Sequence, residues 1–355
     1  MSAFTYLISF VGAIVLSAAL TLVLISVCAR LSLYDYPGQH KRHKKPTPNL
    51  GGIAIFGTFW LLMAGLRLMD ASAFSDIGDS IYYIFAGSFL ILMIGVIDDL
   101  KPLSAWPKLL VEIIAGLILH FGGMSIQVVS IPGLGTVALG NFAVIITVIW
   151  VVGLSNAINL IDGLDGLAPG VSFIAALTMT IIGLMFHIAA VALFALVLAG
   201  SMLAFWFFNR HPARIFLGDS GALFTGYIFA VISLVVPIKS YTLAALFLPL
   251  LVLGVPLIEA VSSFMRRIAA GKNVMKADRR HIFHYLAYAG LEQKQIVVLF
   301  YLSGVFFSLV AISMLVFERT AVLTILLLFM VATFILYLIF IARLKRTKRG
   351  RNGNR

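Results

Sequence analysis

Eleven apolar segments divide this chain of 355 residues, and they constrain its fold more than any other feature of the sequence. A helix needs about 20 mostly apolar residues to cross the hydrocarbon core of a bilayer. The segments therefore predict an all-α polytopic membrane protein with about 11 transmembrane helices. They cover residues 4–29, 50–66, 81–97, 109–121, 142–154, 167–186, 189–208, 222–236, 243–264, 296–317 and 322–341. The fourth and fifth are shorter than a span and must include residues from their flanks.

The composition agrees with a chain that lies mostly in lipid. Hydrophobic residues make up 61% of the chain and charged residues 11%, against about 25% charged in typical soluble domains. In a soluble protein the net charge of +12 would indicate nucleic acid. Here the charges lie between apolar segments, so we expect membrane lipids as partners and no nucleic acid. The first segment lacks a preceding basic region and is longer than the apolar part of a signal peptide, so we expect a transmembrane helix there.

Lys and Arg residues fall almost entirely on one side of the predicted membrane. With the N-terminus outside, all but three of the 26 lie in inner loops or in the C-terminal tail, the exceptions being Arg67, Lys239 and Arg319. Cytoplasmic loops carry such an excess, so the pattern predicts an outside N-terminus and a cytoplasmic C-terminus. We expect one integral-membrane domain over residues 1–341 and a basic cytoplasmic tail over 342–355. Residues 122–140, rich in Gly and β-branched residues, predict a small periplasmic hairpin.

Acidic and amide side chains collect at the inner ends of the predicted helices. The third helix ends in Asp98 and Asp99, and Asp219 follows the seventh within Gly-Asp-Ser-Gly. A charged residue at membrane depth costs about 2.5–3.5 kcal/mol on insertion scales and is tolerated where it lines a polar cavity. These acids, with those after the fifth helix, predict one polar site on the cytoplasmic side. The fifth helix contributes polar residues at intervals of three, namely Asn156, Asn159, Asp162 and Asp165.

A divalent cation and a polyphosphate would together balance such a cluster of carboxylates. Mg²⁺ prefers oxygen ligands and is commonly held by one or two carboxylates plus substrate phosphates. Phosphoryl transfer depends mainly on positioning and on neutralising charge. We expect Gly163 and Gly166 to end the fifth helix and to let the backbone approach a ligand closely. The loop cations available for phosphate are Lys45, Lys108, Arg214, Arg279 and Arg280.

Taken one at a time, these motifs are also typical of structure without chemistry. A pair of Asp residues at a helix end can be a solvated cap, and Gly-Asp-Ser-Gly is a common turn. His281 and His284 lie among arginines, as histidines of cytosolic loops often do. The joint occurrence of the motifs on one face of one membrane favours a functional site.

In their order along the chain, the motifs resemble those of the polyprenyl-phosphate N-acetylhexosamine-1-phosphate transferases, glycosyltransferase family 4. They are Asp98-Asp99, 156–168, 216–222 and His281-x-x-His284, together with the first inner loop over residues 35–52. The likeness runs from about Asp35 to Gly290. It is nearest to the bacterial undecaprenyl-phosphate N-acetylglucosamine-1-phosphate transferases.

This resemblance implies a Mg²⁺-dependent enzyme, with Mn²⁺ as an alternative ion, in a bacterial cytoplasmic (inner) membrane. It implies that a sugar-1-phosphate, N-acetylglucosamine-1-phosphate in this branch, moves from a UDP-sugar to undecaprenyl phosphate while UMP leaves. The same reaction with a different UDP-N-acetylhexosamine is the alternative. The product would begin a surface glycan, in cell-wall biogenesis or lipopolysaccharide biosynthesis. The partners implied are the UDP-sugar, undecaprenyl phosphate and membrane lipids, and a homodimer is left open.

By the same resemblance, Asp98 and Asp99 are the catalytic pair, and Asp219 and Asn159 hold the metal. The resemblance gives substrate-binding roles to Lys108, Asp162, Asp165, His281 and His284. Lys45, Asn156 and Arg279 complete the predicted set through their place in the same loops. One-step attack by the lipid phosphate and a two-step route through an aspartyl phosphate fit the sequence equally.

Two departures from the family pattern, and three rival interpretations, stay open at this point. Phe283 stands where the family usually has His, and Leu-Lys-Pro follows Asp99 where some members have a third acid. The motif of the CDP-alcohol phosphotransferases begins as this sequence does at Asp162. The Ala-Arg and the later Gly-x-x-x-Asp of that motif are missing from this chain. A transporter would place its acids near the midplane in paired repeats. An inactive scaffold is a reading that Phe283 keeps open.

Overall fold

The protein is a bundle of helices, seen in a computed structural model that describes residues 1–36, 45–131, 135–239, 243–269, 271 and 281–316. The predicted eleventh segment, the basic tail and Arg279 lie outside these residues. The helices are α1 (Ala3–Leu31), α2 (Gly51–Met69), α3 (Ser80–Leu100), α4 (Ala105–Phe121), α5 (Phe142–Ile161), α6 (Leu167–Met185), α7 (Ala189–Asn209), α8 (Gly218–Lys239), α9 (Leu243–Val252), α10 (Gly254–Ala269), α11 (Ile282–Tyr288) and α12 (Gln293–Val316). A short 3₁₀ helix, Ala71–Phe74, follows α2.

Eight of the helices in the described part of the chain are long and apolar enough to cross a membrane. The all-α polytopic membrane fold is therefore confirmed, whereas the number of eleven spans and their orientation remain predictions. The two short segments both lengthen, since α4 has 17 residues and α5 has 20. The extra residues of α4 precede the fourth predicted segment, and the extra residues of α5 follow the fifth.

The predicted ninth helix is two helices, α9 and α10, separated at Leu253. Pro256 has no backbone N–H, so the carbonyl of Val252 cannot receive the usual helical hydrogen bond at this point. Helical hydrogen bonds are present on either side of this gap. The amide of Leu253 donates to the carbonyl of Pro249, and the amide of Leu257 donates to the carbonyl of Leu253. The predicted single helix over residues 243–264 is therefore interrupted at its centre, at Leu253.

The predicted hairpin is present between α4 and α5. Its strands, β1 (Val128–Ile131) and β2 (Gly135–Ala138), pair antiparallel with Val128 opposite Ala138. Ile126 and Met124, just before β1, are buried, so this connection packs against the bundle.

The centre of the bundle is α8, which packs against α2, α3, α5 and α7. Its residues from Ser220 to Val235 are buried, whereas α1 exposes many of its large apolar side chains. The end of α3, the start of α4, the end of α5 and the start of α8 lie together, since side chains from all four are in contact there. We call this the site end of the bundle.

Candidate active site

The acidic residues lie at the site end because helices stop and start there for local reasons. Lys101 precedes Pro102, which favours extended backbone at Lys101, and α3 ends one residue earlier. Asp98 and Asp99 therefore occupy its last turn. Gly218 has φ +74 and begins α8, so Asp219 falls in the first turn of that helix. A carboxylate is favourable there because it faces the partial positive charge of the helix N-terminus.

Lys108 joins two acidic residues that are more than a hundred positions apart in the sequence. Its Nζ lies 2.7 Å from Oδ2 of Asp219 and 3.2 Å from Oδ2 of Asp98. Lys108 is in the first turn of α4, just after Pro107, which is tolerated so early in a helix. The three side chains remain 13–25% exposed, so a ligand in solution can still reach them.

Asp99 has a different environment from its neighbour Asp98. Its Oδ1 accepts hydrogen bonds from the backbone amide of Asp219, at 2.7 Å, and from Nδ2 of Asn49, at 3.2 Å. Its Oδ2 accepts from the amide of Ser220 at 3.1 Å and from its hydroxyl at 2.6 Å. A Cβ at Gly218 would lie only 2.5 Å from Oδ2 of Asp99. Asp99 thus caps α8, a role that its place in an Asp-Asp pair did not indicate.

Asn159 and Asn156 extend the site along α5. Nδ2 of Asn159 lies 3.4 Å from Oδ2 of Asp219, a long contact at the edge of hydrogen-bonding distance. Nδ2 of Asn156 donates to Glu112 and to the carbonyl of Val152. Both donors of this amide are therefore used, and its Oδ1 is the atom left to accept from a ligand. Glu112 itself is buried, one turn beyond Lys108 on α4.

The polar series that begins on α5 does not continue on one helix face. The helix ends at Ile161, so Asp162 is its C-terminal cap residue and Asp165 lies in the following turn. Burial raises the pKa of Asp162 to about 8, and the neighbouring carboxylates of Asp219 and Asp99 add to the rise. A cation bound nearby would favour the ionised form of this carboxyl.

Asp165 is used to hold the loop between α7 and α8. Its Oδ2 lies 2.8 Å from Nδ1 of His211 and accepts the backbone amide of Ala213 at 3.2 Å. The structure thus gives Asp165 a contact with the loop, and its predicted substrate-binding role stays a prediction.

His281 reaches the same end of the bundle from the other side. Its Nδ1 lies 2.9 Å from Oε1 of Glu259, and its ring stacks on Phe283 at a centroid distance of 5.3 Å. Phe283 is buried against Gly163, the residue after Asp162, and also contacts the ring of His284. Phe283 therefore joins the histidine motif, residues 281–284, to the turn after α5 that carries Asp162 and Asp165. We call this turn the acidic loop.

Lys45 lies at the start of a segment that runs beside the loop before α8. The amide of Phe216 donates to the carbonyl of Pro48, and Gly51 donates back to the carbonyl of Phe216. The first inner loop and the α7–α8 loop are thus parts of one structure at the site end. Arg279 belongs to the residues that the structure does not describe.

Several residues of the site were not predicted from the sequence. Asn49 and Ser220 carry common side chains and become informative only through their contacts with Asp99. The hydroxyl of Tyr301 donates to the carbonyl of Gly166 and accepts a hydrogen bond from Nε1 of Trp206 at 2.8 Å. Helix α12 thus contacts the acidic loop at Gly166. The sequence signal for Glu112 and Glu259 was stronger, since each is an acid inside an apolar helix.

The oxygen atoms at the site end are of the kind that Mg²⁺ prefers as ligands. Within the described residues no three His, Cys, Asp or Glu side chains are arranged to hold a metal by themselves. Mg²⁺ needs only one or two protein carboxylates. Asp98 and Asp219 already face a cation, the ammonium of Lys108, and the amide of Asn159 lies beside Asp219.

Comparison with known proteins gives matches over most of the chain. The sequence model of glycosyl transferase family 4 matches residues 81–237, which contain Asp98, Asp99, Asn159 and Asp219. A probable undecaprenyl-phosphate N-acetylglucosaminyl 1-phosphate transferase of Bacillus subtilis (strain 168) is 34% identical over 306 residues. That alignment covers 86% of this chain and 84% of the relative.

Two further relatives differ from each other in the sugar that their names contain. A decaprenyl-phosphate N-acetylglucosaminephosphotransferase of Mycobacterium leprae (strain TN) is 32% identical over 305 residues, covering 79% of this chain and 76% of the relative. A phospho-N-acetylmuramoyl-pentapeptide-transferase of Oceanobacillus iheyensis is 30% identical over 329 residues, covering 86% and 96%.

Proposed function

The chain belongs to glycosyl transferase family 4, and from this membership we propose that it transfers N-acetylglucosamine-1-phosphate from UDP-N-acetylglucosamine to undecaprenyl phosphate. The donor in this proposal follows the relatives whose names contain N-acetylglucosamine. The acceptor is the membrane lipid that the Bacillus subtilis relative is named for.

The observation that carries the proposal is the convergence of Asp98, Lys108 and Asp219 from three helices at the site end. A transporter site would lie near the bilayer midplane, whereas these residues lie in terminal turns of their helices. Oxygen ligands for a cation, beside a lysine that can bind phosphate, are the groups that phosphoryl transfer requires.

In the proposed reaction a phosphate oxygen of the lipid attacks the β-phosphorus of the UDP-sugar. A new P–O bond joins the lipid phosphate to that phosphorus, and the bond from it to the bridging oxygen breaks. UMP leaves with the bridging oxygen, and the lipid diphospho-sugar remains. We assign to Asp98 the task of orienting the incoming phosphate or taking its proton, and to Lys108 that of balancing charge on the transferred group.

We propose Mg²⁺ as the cofactor, with Asp219 and Asn159 as its protein ligands. The ion would neutralise charge on the diphosphate and favour departure of UMP. Asp99 contributes through its bonds to the start of α8, which fix the position of Asp219. Asn156 would contribute its Oδ1, since its Nδ2 is used by Glu112 and the carbonyl of Val152.

We place the site end on the cytoplasmic side of a bacterial inner membrane, as the Lys and Arg distribution predicts. UDP-sugars are made in the cytoplasm, so this orientation gives the donor direct access. The product would be the first lipid-linked intermediate of a surface glycan.

The test is a transfer assay with purified protein, undecaprenyl phosphate, Mg²⁺ and a panel of UDP-sugars, in which UMP release and lipid-linked product are both measured. The panel contains UDP-N-acetylglucosamine, UDP-N-acetylgalactosamine and UDP-N-acetylmuramoyl-pentapeptide. We expect release that requires both the lipid and Mg²⁺, with UDP-N-acetylglucosamine as the best donor. The Asp219→Asn variant, shown to be folded, should release UMP far more slowly than the wild type.

A preference for another donor would reject N-acetylglucosamine and retain the reaction. The absence of release with every donor, from folded protein, would reject the transferase proposal and favour the inactive scaffold.

A further inference from the structure

Glu259 is a buried acid on α10 whose two carboxylate oxygens both face the start of α11. Its side chain has no exposed surface. Oε1 lies 2.9 Å from Nδ1 of His281, and Oε2 accepts the backbone amide of Ile282 at 3.0 Å. Nη2 of Arg266, two turns further along α10, lies 3.6 Å from Oε1 of Glu259. A carboxylate is costly to bury unless it is paired and hydrogen-bonded, so these partners account for its presence in the helix.

The contact with Glu259 decides which nitrogen of His281 is available to a ligand. A histidine that donates from Nδ1 to a carboxylate has its ring orientation fixed by that bond. Nε2 of such a ring donates to an anion when the imidazole carries both protons. Nε2 is then the atom that points away from the pair. Among the described residues Nε2 of His281 has no hydrogen-bond partner, although the side chain is only 13% exposed.

The ring of His281 is also fixed with respect to the acidic loop. It lies at 15° to the ring of Phe283, which is 2% exposed and packs against Gly163. Gly163 follows Asp162, so the ring of Phe283 lies directly against the turn that carries this acid. His281 is therefore held on two sides, by Glu259 through Nδ1 and by the loop through Phe283.

We propose that Glu259 is a positioning residue, which pairs with the imidazolium form of His281 so that its Nε2–H donates a hydrogen bond to the diphosphate of the nucleotide sugar. This inference rests on the proposed function, and it assigns to Glu259 a role in donor binding that acts only through His281. It follows that Glu259 and His281 work as one unit.

The test uses two substitutions of His281 that separate its nitrogens. The amide nitrogen of Asn can reach the position of Nδ1, and that of Gln can reach the position of Nε2. His281→Asn should keep the contact with Glu259 and lose the hydrogen bond to the nucleotide sugar. His281→Gln should keep part of the binding that this hydrogen bond provides. One hydrogen bond to a charged group is worth about 1.5–3 kcal/mol, which is roughly a tenfold to hundredfold change in affinity.

The decisive measurement is a double-mutant cycle on binding of UDP-N-acetylglucosamine, with KM and kcat followed alongside. Glu259→Gln alone should weaken donor binding about tenfold and raise KM more than it lowers kcat. In the His281→Asn background the same change should have almost no further effect on binding. Glu292→Gln, at an exposed acid before α12, is the matched control and should leave binding unchanged.

Equal losses of binding from Glu259→Gln in both backgrounds would overturn the inference, because a merely structural residue acts whether or not His281 is present. Unchanged binding in the single variant would overturn it as well. Protein that binds the donor but releases no UMP with undecaprenyl phosphate would instead contradict the proposed function. The two failures are therefore distinguishable.

Discussion

The carboxylate of Asp99 accepts the backbone amide of Asp219 at 2.7 Å, so the second acid of the Asp-Asp pair holds the third acid of the site in place. Its other oxygen accepts the amide and the hydroxyl of Ser220. Asp98, one residue earlier, instead faces Lys108. Adjacent acids of one motif therefore have separate contacts, since Asp99 organises the start of α8 and Asp98 pairs with Lys108.

The substitutions Asp98→Asn and Asp99→Asn should consequently differ in their effects. Asp98→Asn should lower UMP release about 100-fold or more and leave stability near that of the wild type, because Leu103 can still donate to its oxygen. Asp99→Asn should destabilise the fold by about 1–3 kcal/mol, since its amide group would face donors of Ser220. Thermal unfolding followed by tryptophan fluorescence, beside the transfer assay, measures both effects. Equal unfolding temperatures for the two variants would contradict the assignment.

Lys108→Met should remove the cation shared by Asp98 and Asp219. We expect UMP release to fall by about 10²–10³, the size of effect seen when one group that stabilises transition-state charge is lost. The matched control is Lys101→Met, which changes an exposed lysine in the same loop and should retain wild-type activity. A similar loss in both variants would indicate a general effect of basic charge on lipid binding rather than a role for Lys108.

Removal of Mg²⁺ should abolish transfer, and the ion should restore it. EDTA-treated protein is titrated with Mg²⁺ while UMP release is measured. Asp219→Asn removes a charged oxygen ligand, so if residual activity is measurable it should need at least tenfold more Mg²⁺ for half-maximal rate. Asp79→Asn, at an exposed acid of the opposite end of the bundle, should follow the wild-type curve. Full activity of the wild type in EDTA would reject the metal.

Sequence patterns predicted most of the helices and the acids that converge, because apolar length and charge placement are local properties of the chain. Pro256 also carried a local signal, and the break between α9 and α10 follows from it. The contacts of Asn49 with Asp99 and of Glu259 with His281 could not be predicted, since each depends on which distant segments the fold brings together. The pairing of Glu259 with Arg266 could be predicted, because both lie on α10. Asp165 belonged to a regular series with Asn159 and Asp162, yet it contacts His211 because the helix ends at Ile161.

Asp162 should make the stability of the metal-free protein depend on pH. Its pKa in the folded protein is raised to about 8, so the folded state keeps a proton that the unfolded chain has already lost near neutral pH. Folding stability should therefore fall as pH rises from about 4 toward 8, by at most about 1.4 kcal/mol per pH unit from this group. Asp162→Asn removes the contribution. The stability of this variant relative to the wild type, measured by thermal unfolding in EDTA, should increase between pH 6 and pH 8. A difference that stays constant across this range would contradict the environment assigned to Asp162.

Gly163 and Phe283 should show steric coupling, because the ring of Phe283 occupies the place of a side chain at Gly163. Gly163→Ala forces the acidic loop and the histidine motif apart, and UMP release should fall clearly while α5 stays intact. Phe283→Leu makes room for the new methyl group, so the double variant should recover much of the lost activity. Gly153→Ala, on α5 with open space around it, is the matched control and should retain activity. Additive losses in the double variant would show that Phe283 does not set the distance between the two loops.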